Sequence, residues 1–184
     1  MKYILILSQK GGVGKTTLAD NLAFMLEAEG KIVDFYDMDP QDSALHETVE
    51  HGCADFAVLD TPGTLTEDTK EMIRDASVVV IPTRASALDM QPLERIRALV
   101  AQLSPNVPVL LVLNGYNRWT NARDFREWLE ENLRSTETVA VLSQSEKIPQ
   151  ACIEGKSVVS YAPHSRPAEE MRGILQKIKE VLNG

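Results

Sequence analysis

The stretch Lys10-Gly11-Gly12-Val13-Gly14-Lys15-Thr16-Thr17 decides the fold of this chain. A short apolar run from Tyr3 to Leu7 precedes it and predicts a buried parallel strand. Apolar residues at helical spacing follow it, and Gly30 is placed to end that helix. These residues are Leu18, Leu22, Met25 and Leu26. A strand, a glycine-rich turn, Lys-Thr and a helix, in this order, predict a phosphate-binding loop.

Each residue type in this loop suits the binding of a triphosphate. Glycines allow successive backbone N–H groups to turn inward around an anion, and the positive end of the helix dipole favours the same charge. Lys15 can reach the β- and γ-phosphates, and the Thr16 hydroxyl is placed to ligate Mg²⁺. We therefore expect the nucleotide to contact Gly11, Gly12, Val13, Gly14, Lys15, Thr16 and Thr17. The alternative is a glycine turn that only joins a strand to a helix.

Strands and helices are predicted to alternate along the rest of the chain. Apolar runs at 32–36, 56–59, 78–81, 109–113 and 138–142 predict further strands, and Val158-Val159 predicts a short last one. Helical patterns lie between most of these runs, and Pro167 opens a final helix. The alternation predicts the α/β class, with the three-layer P-loop NTPase fold. In it a mostly parallel sheet has helices on both faces, and we expect one domain over residues 1–184.

Composition and charge narrow the class of protein. Hydrophobic residues make up 43% and charged residues 25% of the chain, as in ordinary soluble domains. No apolar run approaches the ~18 residues of a membrane span, so we predict no membrane insertion and a cytoplasmic location. Cys53 and Cys152 form no C-x-x-C pair, which favours incidental reduced thiols. The net charge of −8 requires that any contact with DNA come from a local basic patch.

Two aspartates follow predicted strands at the edge where the phosphate loop is expected. Asp60 has the position of a Walker B aspartate, which approaches Mg²⁺ through a water, and Asp39 can approach it in the same way. Gly63 can present its N–H to the γ-phosphate, so the segment 60–63 would respond to hydrolysis. Asp37 is expected to orient its loop. The alternative for Asp39 and Asp60 is an ordinary turn residue.

These motifs together resemble the ParA/MinD family of deviant Walker ATPases, and most closely its small plasmid-partition ParA members. The resemblance rests on the loop with its early lysine Lys10, on Asn21-Leu22-Ala23, on Asp37-Met-Asp-Pro-Gln41 and on Leu59-Asp-Thr-Pro-Gly63. It is specific over residues 1–63 and around 82–92, and looser after Asn114. The motifs occur in the order found in the family.

The resemblance implies an ATP-dependent homodimer with weak, Mg²⁺-dependent ATPase activity. Lys10 would reach the phosphates of the partner subunit, as an arginine finger does, and Lys15 would act on those of its own. Asp39 would position the attacking water. The family also implies an activating partner protein of the ParB type, non-specific DNA binding with association to the nucleoid, and a role in DNA segregation. No arginine of the C-terminal part is singled out for DNA.

Asn114 bears on the choice of base. It follows a predicted strand and matches an asparagine that the family uses near adenine. An amide can donate to and accept from adenine, whereas a guanine site would need the carboxylate of an N-K-x-D motif, which the run Asn114-Gly-Tyr-Asn117 does not contain. ATP is therefore favoured over GTP. The alternative is a turn residue without a nucleotide contact.

The chain departs from large partition ATPases between Gln41 and Phe56, a stretch too short for the helices found there. No DNA-binding domain precedes the loop, which leaves operator recognition in doubt. Three alternatives stay open: a MinD-like positioning or regulatory ATPase, a P-loop small-molecule kinase or ligase, and a binding module without hydrolysis. Lys10 and Asp39 argue against the kinase, and retention of Asp39 with Asp60 argues against the last.

Overall fold

The computed structural model describes residues 1–38, 44–117 and 119–183. Its centre is one sheet of six strands, and every neighbouring pair in the sheet is parallel. The strands are β1 (Lys2–Ile6), β2 (Val33–Asp37), β3 (Phe56–Asp60), β4 (Val78–Thr83), β5 (Val109–Tyr116) and β6 (Glu137–Ser143). Their spatial order is β2-β3-β1-β4-β5-β6.

Helices cover both faces of this sheet. They are α1 (Lys15–Ala28), α2 (Glu67–Asp75), α3 (Ala87–Leu103), α4 (Thr120–Glu131), α5 (Lys147–Ile153), α6 (Val158–Tyr161) and α7 (Arg166–Asn183). One core lies between the sheet and α1, α5, α6 and α7, and the other lies between the sheet and α2, α3 and α4. The predicted three-layer α/β fold with a parallel sheet is therefore confirmed.

The alternation of side chains along the strands explains why two cores form. Ile4 and Ile6 of β1 enter the first core, while Leu5 and the following Leu7 enter the second. All six residues of β4 are buried, because a central parallel strand is covered on both faces. Uninterrupted apolar runs are thus the sequence signal of this sheet.

The strand order places the functional loops at one edge. β1 lies between β3 and β4, so the chain turns to opposite sides of β1 as it builds the sheet. Such a reversal opens a crevice at the carboxyl ends of the strands, where ligands bind in open α/β sheets. At that edge the phosphate loop follows β1, and Asp60 ends β3. Arg84 follows β4, and Asn114 lies near the end of β5.

The prediction of a last strand at Val158-Val159 is wrong, because these residues begin the short helix α6. Ser157 caps this helix by accepting from the N–H of Ser160, and the N–H of Val158 donates to the Asn21 side chain at 2.8 Å. The side chain of Asn21 also donates to the carbonyl of Thr17. Contacts with α1 therefore override the strand preference of two valines.

The short segment 44–51 lies along α1 and β2. Val49 and Phe35 exchange backbone hydrogen bonds in an isolated antiparallel bridge. Buried Asp34 accepts from the backbone N–H of His51 at 2.8 Å and from its ring at 2.9 Å. Main-chain pairing and a buried carboxylate thus hold a segment that has few apolar residues. Among the described helices, none combines the length and the apolar character needed to cross a bilayer.

Candidate functional site

The first turn of α1 is open to an anion. Gly14 is the N-cap of the helix, with φ 91°, and as a glycine it has no side chain that could cap the first turn. Only glycine adopts this left-handed conformation without strain. The N–H groups of a helix N-terminus and the helix dipole together form the kind of site that binds phosphate.

Lys15 lies at the start of this helix with 7% of its surface exposed. In the described part of the chain, no carboxylate lies within ion-pair distance of its ammonium group. A nearly buried cation is costly unless an anion compensates it. The position of Lys15 among open N–H groups therefore suits a bound phosphate, as the loop motif predicts.

Thr16 and Asp60 are brought together from α1 and β3. The Thr16 hydroxyl donates to Asp60 Oδ2 at 2.6 Å, and Asp60 is completely buried at the end of its strand. Mg²⁺ prefers oxygen ligands and is commonly held by one hydroxyl or carboxylate together with substrate phosphates and water. Within the described residues, no group of three or more His, Cys, Asp or Glu side chains could hold a metal ion by protein ligands alone. The Thr16–Asp60 pair fits a magnesium ion that arrives with a nucleotide.

Asp39, predicted to position water, lies outside the described residues, but the ends of its loop are described. The Asp37 carboxylate accepts from the N–H of Ala44 at 3.4 Å, and the Asp37 N–H donates to the Thr48 hydroxyl at 3.3 Å. The N–H of Met38 donates to the carbonyl of Asp60. Asp37 is thus fixed by Ala44 and Thr48, and Met38 by the strand of Asp60, while the role of Asp37 in orienting the loop stays a prediction.

Asn114 contacts the phosphate loop itself. Its amide nitrogen donates to the carbonyl of Val13 at 2.7 Å, so one of its two amide hydrogens is committed to the loop. A Cβ on Gly14 would lie 2.1 Å from the same nitrogen. The close approach of these residues gives Asn114 a role in loop geometry that the sequence did not indicate.

A cavity of about 490 Å³ extends from the phosphate loop over the ends of β5 and β6. Its walls include Gly12, Asn114, Asn117 and Gln144, and the polar amides among them can bond a base or a ribose. The size and the concave shape suit a nucleoside beside the phosphate site. Asn117 and Gln144 were missed in the sequence because an isolated amide after a strand has no motif.

Arg84, at the end of β4, is a second residue that sequence reasoning missed. Its guanidinium group donates to the carbonyl of Gly12 and lines the same cavity. Gly12 has φ 70°, and a Cβ there would lie 3.6 Å from Arg84. The contact places a permanent positive charge beside the loop that is expected to hold phosphates.

Gly63 and Lys10 share a groove of about 680 Å³ beside the loop. Leu65, Leu88 and Pro92 supply apolar surface to it, and Leu88 is 81% exposed. Lys10 does not extend freely from this groove. Its ammonium group forms an ion pair with Asp89, in the first turn of α3 of the same chain.

His46 fixes the segment that follows the Asp39 loop. Its ring nitrogens lie 3.0 Å from Asp20 Oδ1 and 3.3 Å from Glu27 Oε2, and the ring packs between Phe24 and Phe35. Burial by itself lowers the pKa of His46, but the hydrogen bonds and charges of the two carboxylates outweigh it. The net pKa is raised above the ordinary 6.5.

Comparison with known proteins gives one family. Residues 4–158 match the model of the CobQ/CobB/MinD/ParA nucleotide binding domain. A chromosome-partitioning ATPase, Soj of Thermus thermophilus, is 25% identical to the chain, with 97% of the chain and 95% of Soj aligned. The maintenance of carboxysome distribution protein A of Gloeobacter kilaueensis is 31% identical over 113 residues, about half of each chain.

A solved structure supports the same fold. The crystal structure of a plasmid partition protein of Borrelia burgdorferi, described as putative and bound to AMPPNP, superposes with a TM-score of 0.77. The match covers 97% of this chain and 98% of that one at 18% sequence identity. At 18% identity, this structural similarity is evidence for the fold alone.

Proposed function

Because the chain belongs to the CobQ/CobB/MinD/ParA nucleotide-binding domain family, we propose that it is an ATP-dependent dimerising switch that serves DNA partition. ATP binding joins two copies, and slow Mg²⁺-dependent hydrolysis to ADP and phosphate separates them. The proposal rests above all on the Thr16–Asp60 pair, 2.6 Å apart beside the open first turn of α1. That arrangement suits a magnesium–triphosphate complex.

The loop motif and the resemblance to the family supply the roles of the residues in this proposal. The N–H groups of the loop and Lys15 would hold the β- and γ-phosphates, while Thr16 and Asp60 would hold Mg²⁺. When bound, Mg²⁺ neutralises charge that develops on the phosphate oxygens. Asp39 orients the attacking water, and Gly63 contacts the γ-phosphate. An aspartate is a weak base at neutral pH, so unassisted turnover is slow.

The second copy completes the site. Lys10 of each subunit reaches the phosphates of the other, where a cation stabilises transition-state charge. The groove beside Lys10, with exposed Leu88, is the surface that we assign to this contact. A partner protein of the ParB type then stimulates hydrolysis, and the dimer binds DNA without sequence preference. The names of Soj and of the Borrelia protein support the choice of partition.

A second candidate is a positioning ATPase for a cargo other than DNA. The similarity to a carboxysome-distribution protein over 113 residues favours it, since that protein is named for another cargo. Both candidates require the same dimer switch. They differ in the surface that recognises the cargo.

Analytical sedimentation of the full chain with ATP, ADP or no nucleotide, each with and without non-specific DNA, tests the proposal. We expect a dimer with ATP only, and co-sedimentation with DNA only in that state. Asp39→Ala should hold the ATP-bound dimer because water is no longer positioned, and Lys15→Ala should stay monomeric. A wild-type chain that stays monomeric at saturating ATP would refute the switch, and a dimer without DNA binding would favour the second candidate.

A further inference from the structure

Lys10 is held inside its own subunit by one carboxylate. Its ammonium group pairs with Asp89 Oδ1, and the two side chains are exposed to very different degrees, 37% for Lys10 and 3% for Asp89. The motif that includes Lys10 predicts a side chain that is available to a second copy. The structure shows it retained at the first turn of α3.

Asp89 lies in the first turn of α3, where the helix dipole favours a negative charge, but it has few other sources of compensation. Neither of its side-chain oxygens accepts a hydrogen bond from the described residues. The narrow space beside the pair has a mainly apolar lining that also includes two hydroxyl side chains; it is formed by Val13, Ile81, Pro82, Pro92, Leu93 and Ile96 with Ser8 and Thr83. In the part of the chain that the structure describes, the Lys10 ammonium is thus the one ion-pair partner of a buried carboxylate.

Removal of one partner from a buried ion pair leaves an uncompensated charge, which is strongly destabilising. Lys10 therefore cannot leave its subunit without cost. We propose that Asp89 is a positioning residue that retains Lys10 in the monomer and sets the cost of delivering it to a second copy. This inference rests on the proposed ATP-dependent dimer.

Asp89 and the phosphates of a nucleotide in a second copy compete for the Lys10 ammonium group. The single charge of Asp89 competes with the several charges of a triphosphate for the same ammonium group. The γ-phosphate of ATP strengthens the attraction between Lys10 and the nucleotide, and ADP lacks this phosphate. Retention by Asp89 thus lowers the dimerisation constant with either nucleotide, so that only the stronger pull of ATP brings two copies together at a concentration where the ADP-bound chain stays monomeric.

The location of the pair supports this competition. Asp89 directly follows Leu88, which lines the groove that Lys10 shares with Gly63. A second copy that docks on this groove meets Lys10 where Asp89 holds it. No other carboxylate in the described residues pairs with Lys10, so substitution of Asp89 isolates the effect.

The first test concerns the ion pair alone and needs no nucleotide. We would measure melting temperatures of the wild type, Lys10→Ala, Asp89→Asn and the double variant. Lys10→Ala should lower the melting temperature, and addition of Asp89→Asn should restore most of the loss because an amide needs no cation. Additive effects of the two substitutions would overturn the pairing.

The second test measures how Asp89 affects the transfer of Lys10 to a second copy. With ATP, Asp89→Asn should form the dimer at a protein concentration at least threefold lower than the wild type does, and it should begin to dimerise with ADP. In the Lys10→Ala background the same substitution should change neither property. A merely structural role would weaken the dimer in both backgrounds. Asp68→Asn, at an exposed position of α2, is the control for loss of one negative charge.

The outcomes separate this inference from the proposed function. If the wild type stays monomeric with ATP, the switch is refuted, and the delivery role of Asp89 is refuted with it. If the wild type dimerises but Asp89→Asn has no effect that depends on Lys10, the switch stands and this inference fails. If Asp89→Asn does not fold, Asp89→Ser is compared in the same two backgrounds.

Discussion

The Asn114 side chain donates to the main-chain carbonyl of Val13 at 2.7 Å, which joins the end of β5 to the middle of the phosphate loop. The residues are 101 positions apart in the sequence. The hydrogen bond holds the middle of the phosphate loop against the carboxyl end of β5. Asn114 therefore influences phosphate binding whether or not it also contacts the base.

Replacement of Asn114 by alanine separates these two roles. If the amide acts on the loop alone, Asn114→Ala should weaken ATP and GTP binding by the same factor, about 3- to 10-fold for one hydrogen bond. If it also recognises adenine, ATP should lose more. Calorimetric titration with both nucleotides measures the two factors, and an unchanged affinity for both would exclude each role.

Gly14→Ala should disrupt the loop. The left-handed φ of 91° penalises any Cβ, and this Cβ would lie 2.1 Å from the Asn114 amide. We expect a loss of at least about 2 kcal/mol in the free energy of unfolding, together with loss of nucleotide binding. Urea denaturation measures the first quantity.

The matched control for this substitution is Gly173→Ala. Gly173 lies within α7, and a Cβ there would meet no atom within 4 Å. Alanine is the better helix former, so this variant should gain up to about 1 kcal/mol in the free energy of unfolding. Equal effects of the two substitutions would contradict the geometry of the loop.

Lys15→Ala should remove a cation that has no carboxylate partner among the described residues. One charge-assisted hydrogen bond contributes ~1.5–3 kcal/mol, so ATP affinity should fall about 10- to 100-fold or more. Fluorescent-nucleotide titration measures the change, with Lys70→Ala as the control, because Lys70 pairs with Glu67 on α2. Retained affinity in Lys15→Ala would remove the assignment of the phosphate loop.

The stability that His46 supplies should depend on pH. Its pKa is raised in the folded protein above the ordinary 6.5, so the folded state binds the proton more tightly than the unfolded chain. The stabilisation is complete below that ordinary value and is lost as pH rises through the folded pKa. The gap in the free energy of unfolding between wild type and His46→Gln should therefore shrink as the pH is raised from 6.5.

Chemical denaturation at a series of pH values measures this gap. The control is His164→Gln, at an exposed position without an ion-pair partner in the described parts of the chain. Its effect on stability should be small throughout. A gap for His46→Gln that stays constant or widens with rising pH would show that the contacts with Asp20 and Glu27 do not hold a proton.

Local patterns in the sequence were sufficient for the fold and for the place of the glycine-rich turn between β1 and α1. The four central strands contain uninterrupted apolar runs because they are covered on both faces, whereas the edge strands β2 and β6 include Asp34 and Thr138. The phosphate loop was predictable because its glycines, lysine and threonine lie within eight consecutive residues. Asp60 was predictable because it ends a strand.

Other features depended on contacts between distant residues. Val158-Val159 has the composition of a strand, but the Asn21 side chain binds its backbone and a helix forms there. Arg84 lies in the family-like segment 82–92 but had no predicted role, Gln144 lies outside the motifs, and the order of β4, β5 and β6 brings both to one cavity. Such positions have no local signal, because their partners lie many residues away.

The sequence by itself determined which residues can hold a triphosphate, since that chemistry is contained in one turn and the first residues of one helix. Only the tertiary structure decided where Lys10 points. Its partner Asp89 lies 79 positions later in a helix whose own capping gives no sign of the pair. A buried carboxylate requires compensation, and the nearest cation in space satisfies it regardless of its distance along the chain.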